Sequence, residues 1–145
     1  MKKIISLFTF LCITIVIYAQ SDSSSRMTSV TFNYDKIQEA KTDKNFNPID
    51  STTTPKDEKG LITFNQSSVI INDISYKITG SKKIENRYEV AASNDHKNYF
   101  FYIATVNDKN IVVMVSFSDL HITAYKITDG FTLEIPFLNT IVENK

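Results

Sequence analysis

Short segments of alternating apolar and polar residues, each followed by a polar turn pair, recur through the second half of the chain. The pairs are Asn-Asp or Ser-Asp and lie at 72–73, 94–95, 107–108 and 118–119. Asn, Asp and Ser favour tight turns because their short side chains hydrogen-bond to the local backbone. Connections this short join antiparallel neighbours and leave no room for a crossover helix. The pattern therefore predicts a β-meander.

The apolar composition also favours strands over helices. After residue 19 the chain carries 22 Ile and Val residues but only nine Leu and Ala residues. β-branched side chains lose rotamer freedom in a helix and pack well on a pleated sheet. Alternation places the candidate strands at 28–34, 61–65, 68–71, 74–79, 86–92, 98–106, 111–117 and 121–127. We predict an all-β fold, an antiparallel meander of about seven to eight strands that forms a small barrel, half-barrel or sandwich.

The ends of the chain have their own patterns. Residues 1–19 combine Lys2 and Lys3 with an uncharged apolar run too short to span a membrane comfortably, which is typical of a secretory signal peptide. We expect export to the periplasm, cell surface or medium, with no membrane span after cleavage. Residues 20–27 then form a flexible tether, and 28–145 form a single β-rich domain with a long polar loop at 35–59. Near the other end, Pro136 suits the first turn of a short C-terminal helix.

Side chains of the later strands separate into two apolar faces when the hairpins are paired. Pairing Ser93 with Asn98, Val106 with Ile111, and Ser118 with His121 gives this separation. The first face, the predicted core, carries no charge and collects Tyr88, Val90, Ala92, Tyr99, Phe101, Ile103, Val112, Met114, Tyr125 and Ile127. The second collects Phe100, Tyr102, Ala104, Val106, Ile111, Val113, Val115, Phe117, Ile122 and Ala124. This second face is covered by the C-terminal tail, or it belongs to a ligand cavity or a subunit interface.

Residues that carry chemistry are scarce. Sixteen basic and 16 acidic side chains balance, which argues against a nucleic-acid partner. The one cysteine, Cys12, lies in the signal, so we expect no disulfide, and neither His96 nor His121 has a second ligand at metal-binding spacing. We predict no cofactor, no metal and no enzymatic activity. Glu89 is the one carboxylate to watch, because it is predicted beside Tyr102, where burial would raise its pKa, unless it forms an ion pair with Arg87 or Lys126.

Two functional hypotheses remain. In the first, the exported domain binds a small apolar or amphipathic ligand with a lining of Tyr88, Phe101, Met114 and Tyr125. In the second, it is a protein-protein interaction or structural module that uses an edge strand or the apolar face formed by Phe100, Val113, Val115 and Phe117.

Overall fold

Eight antiparallel strands form a closed barrel. A computed structural model describes residues 27–49, 54–129 and 134–139. The strands are β1 (Ser29–Lys41), β2 (Lys56–Asn65), β3 (Ser68–Ile71), β4 (Ile74–Ile84), β5 (Arg87–Asn94), β6 (Lys97–Val106), β7 (Lys109–Ser116) and β8 (His121–Ile127). Each strand pairs with the next, and β8 pairs with β1 to close the barrel. The predicted all-β meander is confirmed, and the barrel is the correct one of its three alternatives.

The tight turns have the backbone geometry that their residues favour. In three of them both central residues have positive φ, as in a type I′ turn, whose twist matches that of the flanking strands. They are Asn72 and Asp73 (46° and 70°), Asp95 and His96 (47° and 60°), and Asn107 and Asp108 (50° and 59°). Asn and Asp tolerate this region better than most residues. The second of these turns lies one residue later than the predicted pair at 94–95.

The strand register explains why the face assignment is correct. Ser93 pairs with Asn98 as predicted. Val106, however, pairs with Lys109, and His121 pairs with Ser116, so the two later registers differ from the prediction by two residues. Side chains alternate between faces with a period of two, and a shift of two therefore leaves every side chain on its predicted face.

The predicted polar loop at 35–59 is partly strand. β1 continues to Lys41 past a bulge between Tyr34 and Lys36, and β2 begins at Lys56. The added part of β1 has only Ile37 and Ala40 as apolar residues, and this explains why alternation missed it. Beyond the strand, the Asp43 carboxylate accepts hydrogen bonds from the backbone N–H groups of Asn45 and Asn47. These bonds lower the pKa of Asp43 and make the described part of the loop a compact turn.

Aromatic side chains fill the inside of the barrel. The Phe64 ring packs edge-on against Phe32 and Phe101, with centroids 6.0 and 6.2 Å apart, and Tyr76 lies 5.4 Å from Phe101. All four are buried. Each fully buried ring of this kind contributes roughly 1.5–3 kcal/mol relative to an exposed one. The inward face is therefore the hydrophobic core, as predicted.

A 3₁₀ turn, Pro136–Leu138, packs against the barrel beside β4. Ile135 and Leu138 are buried in the core cluster, and the Ile135 backbone N–H donates to the Tyr88 hydroxyl at 2.7 Å. The C-terminal tail is one of the predicted covers of the second apolar face, but its described residues Ile135 and Leu138 pack with the inner face. The predicted signal peptide (1–19) and most of the predicted tether (20–27) lie outside the described residues.

Candidate functional site

The outside of the barrel carries apolar side chains in consecutive cross-strand rows. One row runs through Ala91, Phe100, Val115, Ile122 and Ala40 without a polar residue. The next runs through Glu89, Tyr102, Val113, Ala124 and Gln38, and the third through Arg87, Ala104, Ile111, Lys126 and Lys36. Their apolar members form what we call the outer patch: Ala91, Phe100, Tyr102, Ala104, Ile111, Val113, Val115, Ile122 and Ala124.

The outer patch is partly exposed to solvent. Val115, in its first row, is 7% exposed, whereas Phe100, Tyr102 and Val113 are partly exposed. The predicted interaction residue Phe117 lies beside the first row and is 44% exposed. Its ring meets Phe46 edge-on at 5.0 Å, so the turn after β1 extends the apolar surface. The four predicted interaction residues therefore lie on one side of the barrel.

Charged groups line one margin of the outer patch. The Glu89 carboxylate, only 8% exposed, forms ion pairs with Lys82 at 3.0 Å and with Arg87 at 2.9 Å. Burial alone would raise its pKa, but the two cations outweigh burial and lower the pKa of Glu89. Of the alternatives predicted for Glu89, the ion pair with Arg87 is present, and the raised pKa is not found. The Arg87 guanidinium also lies over the Tyr102 ring, 5.9 Å from its centroid.

The four residues predicted to line a ligand cavity all point inward, but contacts within the protein occupy two of them. Phe101 has no exposed surface and packs against Phe64 and Tyr76. Tyr88 is equally buried, and its hydroxyl binds the Ile135 backbone. Met114 pairs with Phe101 across the strands and is partly exposed.

The fourth predicted residue, Tyr125, belongs to a tyrosine pair. Its ring meets that of Tyr34 at 4.9 Å, and burial raises its pKa. The Tyr34 hydroxyl accepts a hydrogen bond from the Asn72 side-chain amide at 2.7 Å. Gly60 makes room for this hydroxyl, since a Cβ atom there would lie 2.3 Å from the oxygen. These contacts brace the inner wall and leave the outer side of β8 free.

Two grooves indent the outer wall of the described barrel. One, of about 480 Å³, lies beside Asn33, Asp35 and Lys59. The other, of about 340 Å³, lies between β1, β7 and β8 and includes Lys36, Lys109 and Lys126. Sequence analysis named Lys126 only as an ion-pair partner of Glu89, whose partners are instead Lys82 and Arg87. It did not predict the groove, because the three lysines come together only when β8 pairs with β1.

Metal-binding groups, membrane-spanning helices and similarity to known proteins do not assign a function to this chain. Within the described ranges, His, Cys, Asp and Glu form no group of three or more that could hold a metal ion. Over the same residues, no helix is long and apolar enough to cross a membrane. No family model, curated protein or solved structure matches the chain significantly. The class that the fold defines is a small closed antiparallel β-barrel.

Proposed function

We propose that this chain is an exported, non-enzymatic interaction module that binds a partner polypeptide through the outer patch and Phe117. The observation that carries the proposal is the position of the outer patch, on the outside of a barrel whose inside is already filled. An exposed apolar area of this kind is typical of interaction sites on soluble proteins. The proposal that the protein is exported is based on the signal-peptide pattern of residues 1–19.

The chemistry of the outer patch suits a protein interface. Interfaces are enriched in aromatic residues and Arg, and a few such side chains carry most of the binding energy. Phe100 and Tyr102 lie 4.9 Å apart at the centre of the face, with Arg87 over Tyr102. Of the two modes predicted, the sheet face is favoured over an edge strand because β1 and β8 pair with each other.

A photo-crosslinking experiment tests this proposal. A benzophenone amino acid replaces Tyr102 in the full chain, and a matched variant carries it at Leu61, an exposed β2 residue (51%) away from the outer patch. Both proteins are irradiated with the exported fraction of the source cells, and the adducts are identified by mass spectrometry. We expect one defined protein to be crosslinked from position 102 and not from 61.

A second variant tests whether the apolar chemistry matters. Val113→Glu places a charge in the middle row, and loss of one well-packed contact costs about 2 kcal/mol, or roughly 30-fold in affinity. Binding of the purified partner is measured by calorimetry with wild type and variant. Equal crosslinking from both positions, or unchanged affinity of a folded Val113→Glu protein, contradicts the proposal.

A further inference from the structure

The groove between β1, β7 and β8 differs from the rest of the outer wall because its rim is basic. Lys36, Lys109 and Lys126 lie on its rim, while Ile111 and Ala124 form an apolar floor. The register explains the convergence, since Lys36 pairs with Lys126 and Lys126 pairs with Ile111. No Asp or Glu lines the groove.

Two of the three rim lysines have no acidic partner among the described residues. Lys36 lies 3.5 Å from Asp57, a pair that is solvent-exposed on both sides and therefore weak. Lys109 and Lys126 form no ion pair within the described ranges. Glu89, by contrast, is held by Lys82 and Arg87 on the far margin of the outer patch. Glu39 and Glu58 lie near enough to act on Tyr125, but within the described ranges neither forms an ion pair with Lys109 or Lys126.

We propose that this groove binds a small carboxylate with an apolar tail. The carboxylate lies between Lys109 and Lys126, and the tail runs over Ile111 and Ala124. Gln38 also lines the groove. The ligand class is therefore an anionic amphiphile. The groove shares Ile111 and Ala124 with the outer patch, whereas its lysines lie outside that patch.

The size of the groove favours a small molecule over a peptide. Its volume of about 340 Å³ falls at the lower end of the range typical of small-molecule sites. Tyr125 contributes to the lining, so one of the four residues predicted for ligand binding takes part, although from the outside of the barrel. The inner side of the same residue is engaged with Tyr34.

The test uses dodecanoate as the probe, below its critical micelle concentration. The dodecyltrimethylammonium cation, with the same tail and opposite charge, is the control ligand. Binding to the full exported chain is followed by calorimetry and by NMR of Ile methyl groups. We expect saturable binding of one dodecanoate, a shift of the Ile111 methyl signal, no shift at the exposed Ile74, and weaker binding at high salt.

Reversing the charge of the groove lysines distinguishes binding in the groove from nonspecific hydrophobic adsorption of the probe. In Lys109→Glu/Lys126→Glu we expect the dodecanoate dissociation constant to rise at least tenfold, the effect of two exposed charge contacts. Lys77→Glu, which reverses an exposed lysine on β4 outside the groove, is the matched control and is expected to bind as wild type does. The proposal is overturned if the cationic amphiphile binds as tightly as dodecanoate, or if dodecanoate binding does not saturate. It is also overturned if the double variant binds dodecanoate with the affinity of wild type.

Discussion

At the scale of single residues, Glu89 shows how neighbours decide the state of a buried carboxylate. Sequence analysis placed it beside Tyr102 and predicted an ion pair with Arg87 as one alternative, and the structure has both contacts. Lys82 was not anticipated as a partner, because it reaches Glu89 only through the β4–β5 pairing. Lys82 and Arg87 together lower the pKa of Glu89, which burial alone would raise.

The lowered pKa predicts a specific pH dependence of stability. Because the folded-state pKa of Glu89 lies below its ordinary value of 4.5, the stabilisation is complete above that value and is lost as pH falls through the folded pKa. In Glu89→Gln we expect a loss of about 1 kcal/mol at pH 7, since both cations are half-exposed. The loss should shrink below pH 4.5.

Urea unfolding of wild type and Glu89→Gln across this pH range checks the prediction. Glu85→Gln, a change to an exposed carboxyl in the β4–β5 turn, controls for the general effect of removing a negative charge. A difference between wild type and Glu89→Gln that stays constant with pH would show that the ion pairs do not stabilise the fold.

At the scale of elements, the 3₁₀ turn depends on one buried hydrogen bond. Tyr88 has no exposed surface, and its hydroxyl is the acceptor for the Ile135 backbone N–H. Tyr88→Phe keeps the ring and leaves that N–H without its partner, which costs about 1–3 kcal/mol. We expect a lower free energy of unfolding and faster proteolysis near residue 135.

Tyr102→Phe is the matched control, because it removes the same oxygen from a partly exposed ring of the outer patch. Chemical unfolding and limited proteolysis compare the two variants with wild type. If Tyr88→Phe is as stable and as resistant to protease as Tyr102→Phe, the 3₁₀ turn is not held by this bond.

The same elements show what can be predicted from sequence. The faces of β5 to β8 were predictable because alternation and local turns determine them, and even a register shift of two residues leaves them unchanged. Closure was not predictable, since β1 and β8 are far apart in sequence and the second half of β1 is largely polar. For that reason the outer patch was anticipated and the lysine-lined groove, which needs both strands, was missed.

At the scale of the whole molecule, the two sides of the barrel sheet differ in how their apolar side chains are covered. Aromatic side chains pack the inside, and a 3₁₀ turn packs against the barrel beside β4. The outside carries apolar rows that the described chain leaves partly exposed. In the function proposed above, the outer wall binds the partner and the filled interior serves as the scaffold.

Two adjacent residues of β7 test this contrast most directly. Val112 faces the core and has no exposed surface, whereas its neighbour Val113 lies in the outer patch. The measurement is the free energy of unfolding of Val112→Glu and Val113→Glu against wild type, by urea denaturation. We predict that Val112→Glu loses more than about 4 kcal/mol or fails to fold, because it buries an unpaired charge. Val113→Glu should remain folded and lose less than about 1 kcal/mol; an equally large loss there would mean that the chain itself covers the outer patch.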